Sequence, residues 1–291
     1  MLKGIDISNW QAGLDISDLA IDFIIVKATE GNYFVDSCCD GFVQDAIKKG
    51  ILWGFYHFAN ANDPIEEANF FVENTRNYFN KGIPVLDIED SNIYNWGSYS
   101  DKFTKRVHEL TGVWPMVYCS AGFLRRFENY SVHENCGLWC AGYPQNYTSW
   151  TTSKFPYDVY PWSFAAIWQF TSNLQLSNCD MALDGNIAYM SKESWNKYAN
   201  STTQIIPSKS ISDVAYEVIL GEWGNGSARK KKLTKAGYDY SAIQNYINEL
   251  YSVANEVING KYGNGKSRIN KLIKAGYDPN IVQYIVNAFL K

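Results

Sequence analysis

Apolar runs of four to seven residues, bounded by turn-forming residues, recur through the first two hundred positions, at 4–7, 23–27, 52–58, 84–88, 115–118, 138–141 and 165–169. Runs that short and that continuous predict strands buried on both faces. Between several of them the apolar positions take a helical spacing, at 42–49 after Asp40-Gly41, at 65–79 after Asp63-Pro64 and at 100–110. Buried strand alternating with helix predicts a mostly parallel α/β barrel over 1–199, with its chemistry at the C-terminal ends of the strands.

The pattern changes near residue 200. Ser201 to Ser210 is polar, carries Pro207 and has no period, so 200–211 reads as a linker. Beyond it the chain repeats at an offset of 39: Val214-Ala215-Tyr216-Glu217-Val218-Ile219 returns as Val253-Ala254-Asn255-Glu256-Val257-Ile258, and Trp223-Gly224-Asn225-Gly226 as Tyr262-Gly263-Asn264-Gly265. Arg229, Gln244 and Asn248 reappear as Arg268, Gln283 and Asn287. Each copy, 212–251 and 252–291, reads as three short helices, with Gly237 at a left-handed cap, Asp239 and Asp278 as N-caps and Pro279 at a first helical position. Two small three-helix bundles are expected. Tandem modules suit a polymeric target, although each Gly-Asn-Gly also reads as a plain turn.

Composition narrows the classes. With 46% hydrophobic and 16% aromatic residues, a chain of 291 residues buries large cores and is no disordered polymer. The net charge of −4 is uneven: residues 1–200 hold 14 Lys and Arg against 23 Asp and Glu, residues 201–291 hold 12 against 7. A mildly basic tail favours an anionic surface, but nothing here has the signature of a nucleic-acid binder. Six cysteines make no disulfide framework, and Cys136 and Cys140 lack a second Cys or His pair at metal spacing. Buried reduced thiols are expected, with no metal and no organic cofactor. No apolar run reaches the length of a membrane span, and the start has no stretch of signal-peptide length, so cytoplasmic synthesis without membrane insertion is expected.

The predicted strand ends gather acids and aromatics: Asp6, Tyr56-His57, Asp87-Ile88-Glu89, Tyr118, Tyr143, Trp168-Gln169 and Asp184. Asp87 and Glu89, two apart in an extended chain, point to one side with Cα atoms on the order of 6–7 Å apart. Two carboxylates in one mouth raise each other's proton affinity, and the more desolvated one holds its proton. A protonated acid beside a carboxylate is what cleavage of a glycosidic bond needs: one protonates the departing oxygen, the other stabilises the cationic ring. The alternative is a solvated strand end. Tyr56, Tyr118, Tyr143 and Trp168 are candidates to stack on sugar rings. His57 reads as a substrate ligand, with a core histidine as the alternative, and Lys27 either pairs with an acid or contacts the sugar. No phosphate-cradling loop, serine-nucleophile elbow or His-Glu-x-x-His occurs.

Taken together, Gly4-Ile5-Asp6-Ile7-Ser8-Asn9-Trp10-Gln11, Ile25-Val26-Lys27-Ala28-Thr29-Glu30-Gly31, Gly54-Phe55-Tyr56-His57-Phe58, Leu86-Asp87-Ile88-Glu89, Trp139-Cys140-Ala141-Gly142-Tyr143, Ile167-Trp168-Gln169-Phe170-Thr171-Ser172 and Leu183-Asp184-Gly185-Asn186 resemble glycoside hydrolase family 25, the Chalaropsis-type muramidases. The resemblance spans nearly all of 3–190. It implies an irregular TIM-like β/α barrel that cleaves the β-1,4 bond between N-acetylmuramic acid and N-acetylglucosamine in bacterial peptidoglycan. It also implies Glu89 as general acid, Asp87 as the acid that stabilises the transition state through the substrate's N-acetyl group, and Asp6 and Asp184 as supporting carboxylates. Asp180 competes with Asp184, since the loop 173–182 departs from the commoner spacing. The tail resembles the cell-wall-binding repeats of some phage endolysins, which implies Trp223, Asn225, Arg229, Tyr262, Asn264 and Arg268 as wall-binding residues. The whole then reads as a phage endolysin, made in the host cytoplasm, released with the help of a holin and acting on the cell wall. A bacterial autolysin, an N-acetylglucosaminidase and a catalytically silent wall-binding protein are the alternatives. The sequence sets no oligomeric state.

Overall fold

A computed structural model describes residues 1–200 and 209–290, so most of the expected linker lies outside the described residues. The chain divides into two compact units, 1–152 with 157–206 and 153–156 with 207–291.

In the first unit eight strands close a barrel. In order around it they are β1 (Leu2–Ile7), β2 (Phe23–Glu30), β4 (Leu52–Phe58), β5 (Ile83–Asp87), β6 (Met116–Ser120), β7 (Leu138–Ala141), β8 (Ile167–Leu174) and β9 (Leu183–Ala188), and β3 (Phe34–Val35) is a short hairpin partner of β2. Neighbours in the barrel are parallel except that β9 runs against both β8 and β1. The helices α1 (Cys39–Lys49), α2 (Pro64–Thr75) and α3 (Trp96–Thr111) supply the early crossovers. Later connections are a 3-10 segment (Ala121–Phe127), the one-turn α4 (Val132–Asn135) and a long irregular stretch before β8, which makes the barrel irregular, as expected. The reversed β9 lies outside the seven expected runs.

Side chains on a strand alternate between the barrel's inside and its outside. The inward positions low in the barrel are apolar, with Leu2, Phe23, Ile25, Ile83, Val85, Met116, Trp139, Ile167 and Ala188 in one buried cluster. Each large side chain so buried stabilises the fold by about 1.5–3 kcal/mol. Gly4 shares this inward face, and a Cβ there would lie 2.4 Å from the Phe23 ring, so the close approach needs glycine. Helix α5 (Lys192–Ala199) closes the lower end: the Trp195 ring stands 4.7 Å from that of Phe23, and its Nε1 donates to the Trp53 carbonyl.

The second unit is helical: α6 (Ile211–Ile219), α7 (Gly226–Lys235), α8 (Tyr240–Ile258), α9 (Gly265–Lys274) and α10 (Pro279–Phe289). The expected stops and starts are present. Gly237 has φ +83°, Asp239 accepts from the amides of Ser241 and Ala242, and Asp278 accepts from that of Asn280. The two three-helix bundles share an element: the third helix of the first copy and the first helix of the second are one helix of 19 residues, α8, so the expected 251/252 boundary falls inside it. The reason is local, because Leu250-Tyr251-Ser252-Val253 contains no breaker and its apolar stripe never stops. Each copy still has its own core, around Val218, Leu233 and Ile243 in the first and Val257, Leu272 and Val282 in the second.

Candidate functional site

The same alternation that fills the barrel with hydrocarbon brings carboxylates to its upper mouth. On β1 the inward series Leu2, Gly4 ends in Asp6, and on β5 the series Ile83, Val85 ends in Asp87. Because β9 runs the other way, its first residues reach the mouth, and Asp184 stands opposite Asp6 in register. Asp180 is exposed in the preceding loop, so of the two alternatives Asp184 is the one in the cluster.

Asp6 Oδ2 accepts from Gln169 Nε2 at 2.9 Å and from Asn186 Nδ2 at 2.6 Å. Burial pushes its pKa up to about 6 in spite of these two bonds. Burial first, then the charges of Asp6 and Glu89, hold Asp184 up at about 8. Asp87 is 7% exposed, and its Oδ1 is buried without a hydrogen-bond partner. Burial, and then Glu89 and Asp6, press its proton affinity well above the carboxylate range, while Lys27 opposes them. Glu89, two residues on, has left the strand and lies exposed at the rim. Its pKa is raised by partial desolvation and lowered by Lys27. Thus Asp87, rather than Glu89, is the acid that this arrangement drives hardest toward its neutral form.

Aromatic hydroxyls line the same mouth. The hydroxyls of Tyr118 and Tyr143 both donate to Gln169 Oε1, at 2.8 and 2.5 Å. With its carbonyl so occupied, Gln169 turns its amide N–H to Asp6. Asn186 does likewise, since its Oδ1 accepts from Trp139 Nε1 at 2.8 Å. Tyr118 is buried, Tyr143 is 46% exposed at the rim, and Tyr56 is half-buried beside Asp87.

Residues 5–179 match the model of glycosyl hydrolases family 25. The chain belongs to that family. Residues 212–251 and 252–290 each match the CW_7 repeat. The chain is 32% identical over 268 residues to a lysozyme of Streptococcus phage Cp-7, covering 84% of this chain and 69% of that one. It is 26% identical over 137 residues to an N,O-diacetylmuramidase of Chalaropsis sp, covering 40% and 65%. The bacterial lysozyme of Streptomyces coelicolor superposes with a TM-score of 0.58 at 23% identity, over 69% of this chain and 98% of that one, which shows the fold.

In this family 25 barrel two of the expected cleft residues face away from the cleft. His57 follows the inward Tyr56 and therefore points outward; it is wholly buried, bonded through Nε2 to Glu67 Oε2 at 2.7 Å and through Nδ1 to Thr29 Oγ1 at 2.8 Å. The core-histidine alternative is the correct one. Trp168 precedes the inward Gln169, is also fully buried, and donates from Nε1 to the Gly142 carbonyl at 2.9 Å, so it stacks on no sugar. Lys27 is inward on β2 and pairs with Glu30 at 2.5 Å. Glu30 in turn accepts from Asn60 Nδ2 at 3.1 Å, and the backbone amides of Asn60 and Asn62 donate to the buried Glu67.

Gln169, Asn186, Glu30 and Asn60 were absent from the expected site residues. The first two carried a legible signal: each lies two positions from a residue already on the inward face, Gln169 after Ile167 and Asn186 after Asp184.

In the CW_7 repeats the recurring residues form recurring ladders. Arg229 donates to Gln244 at 3.0 Å and Gln244 to Asn248 at 3.1 Å. Arg268 donates to Gln283 at 3.2 Å and Gln283 to Asn287 at 2.8 Å, and Arg268 also reaches Asn264 Oδ1 and the Gly263 carbonyl. Trp223 Nε1 donates to Glu217, and Asn225 and Asn264 stand exposed before α7 and α9.

Proposed function

We propose that the barrel hydrolyses the β-1,4 bond between N-acetylmuramic acid and N-acetylglucosamine in peptidoglycan and that the CW_7 repeats hold the enzyme on the wall. The observation that supports the reaction is the meeting of Asp6, Asp87, Glu89 and Asp184 at one aromatic-lined mouth. A glycan laid across the rim covers Glu89, strips water from it and raises its pKa further, so that it holds the proton it must give. Asp87 Oδ1 accepts the N–H of the sugar's acetamido group, a bond that favours ionised Asp87. The acetamido oxygen then bonds to the anomeric carbon as the bond to the leaving oxygen breaks, and Glu89's proton passes to that oxygen. Water opens the resulting ring, and its proton returns to Glu89. Asp6 and Asp184 share a proton near neutral pH, which leaves the pair one negative charge instead of two, and Lys27 offsets the charge on Asp87 and Glu89. Tyr56, Tyr118 and Tyr143 contact the sugars.

The domains are a catalytic barrel (1–199), a linker (200–211) and two wall-binding repeats (212–251 and 252–291), with Trp223, Asn225 and Arg229 in the first and Tyr262, Asn264 and Arg268 in the second touching the wall. A phage endolysin is the role, with a holin giving access to the wall; the likeness to the phage Cp-7 lysozyme along 84% of the chain supports this. Digestion of purified walls followed by mass spectrometry of the new reducing ends tests the reading. N-acetylmuramic acid at those ends is expected. N-acetylglucosamine there, or no cleavage, would overturn it.

A further inference from the structure

The two repeats keep some features at fixed positions and let others move. The Trp/Tyr-Gly-Asn-Gly-x-x-Arg stretch and the Arg-Gln-Asn ladder recur residue for residue, as a ligand held in a shaped pocket demands. The lysines of the middle helices do so only in part, Lys232 and Lys235 recurring as Lys271 and Lys274. Helix α7 reads Gly-Ser-Ala-Arg-Lys-Lys-Lys-Leu-Thr-Lys, with five cations, and α9 reads Gly-Lys-Ser-Arg-Ile-Asn-Lys-Leu-Ile-Lys, with four. Lys230 and Lys231 become Ile269 and Asn270 in the second copy, while Ser227 becomes Lys266. Three lysine positions thus differ between the copies, yet neither helix holds a single acid.

That segregation is unusual for exposed helices, where acids three or four residues from a lysine normally add support. Six of this unit's seven acids are engaged elsewhere. Asp239 and Asp278 cap helices, Asp213 accepts from Ser210, Glu217 pairs with Lys209, Glu249 accepts from Tyr277, and Glu256 pairs with Lys261. Lys230, Lys231, Lys232, Lys266, Lys271 and Lys274 are all exposed, and among the described residues no ion pair involves them. Exposed charge that is kept in amount while only part of it keeps its place, with no acid beside it, fits a ligand with many equivalent anionic groups and no fixed register.

We propose that the exposed faces of α7 and α9 bind a phosphodiester-linked polyanion attached to the wall, a second contact beside the glycan. This rests on the wall-binding reading of the repeats. Lysine meets phosphate as a compact point charge without strict geometry, and release of the polymer's counterions supplies salt-dependent affinity.

The test uses the full chain carrying Glu89→Gln, so that walls stay intact. It is compared with the same chain carrying six further changes: Lys230→Gln, Lys231→Gln, Lys232→Gln, Lys266→Gln, Lys271→Gln and Lys274→Gln. The probes are walls that retain their phosphodiester polymers, the same walls stripped by hydrofluoric acid, and phosphatidylglycerol vesicles. The parent should bind native walls at least about tenfold more tightly than stripped ones at low salt, as expected for several phosphate contacts. The glutamine variant should bind both walls alike, at the stripped-wall level, and a Lys→Arg set at the six positions should behave as the parent. Equal binding of parent and glutamine variant to native walls overturns the proposal. So does an equal loss on stripped walls, loss by the arginine set, or tighter binding to vesicles than to native walls. Arg229→Ala with Arg268→Ala should weaken binding to both wall preparations. If it does not while the lysine variant behaves as stated, the glycan reading of the repeats fails and the polyanion contact stands.

Discussion

Replacing Asp184 with asparagine should leave the barrel's stability unchanged in acid and raise it at neutral and alkaline pH. The ordinary carboxyl value is 3.8, and in the fold Asp184 sits at about 8. Between those values the unfolded chain has released the proton and the folded chain still holds it. Stability therefore falls as pH rises through that window and is lowest above pH 8. A gap of about four pH units, at roughly 1.4 kcal/mol each, bounds the effect near 6 kcal/mol. Asp184 is only partly buried, and solvent screening brings the expectation to about 2–3 kcal/mol. Asparagine mimics the protonated acid and cannot ionise. The variant should match the parent near pH 4 and melt about 5–10 °C higher near pH 9, at about 2–4 °C per kcal/mol for a unit of this size. Melting curves followed by near-ultraviolet circular dichroism at pH 4, 7 and 9 supply the test. A difference that stays constant with pH, or a lower melting point at pH 9, would refute the reasoning.

Other perturbations separate the cleft from its supports. Lys27→Met removes the cation that holds down the proton affinity of Glu89, so the alkaline limb of kcat against pH should move upward; a limb that stays put would exclude Lys27 as a tuning charge. Trp168→Ala should cost about 3–5 kcal/mol in urea unfolding, as a buried aromatic does, with KM unchanged in whatever fraction folds. Tyr143→Phe should do the reverse, raising KM on soluble wall oligomers without changing the urea midpoint. Glu67→Gln should destabilise by about 1–3 kcal/mol, because an amide NH2 replaces a carboxylate oxygen that accepts from His57 and from the Asn60 and Asn62 backbone amides; a neutral outcome would show that the pair is not fixed as described.

Much of the barrel was legible because parallel strands buried on both faces leave continuous apolar runs, and 52–58 and 138–141 coincide with β4 and β7. β9 was harder to see: its Asp184, Gly185 and Asn186 break the apolar run that betrays the others, and nothing local announces that it is reversed. The acids at the mouth followed from strand-end logic. His57 and Trp168 were misplaced because chemical type was weighed ahead of parity; each sits one residue from an inward neighbour, and one residue is enough to reverse the face. The fusion of two helices into α8 was written in the absence of any breaker between Leu250 and Val253. The burial order of Asp87 and Glu89 was not readable, since it depends on where the chain departs from β5, immediately after Asp87.

The central claim is that Glu89 gives its proton to the leaving sugar beside Asp87. Turnover of Glu89→Gln on a soluble wall oligomer, measured with co-sedimentation of the same protein on intact walls, tests it most directly. The account predicts a fall in kcat of about 10²–10⁴-fold with wall binding unchanged. Turnover within a few-fold of the parent would contradict it.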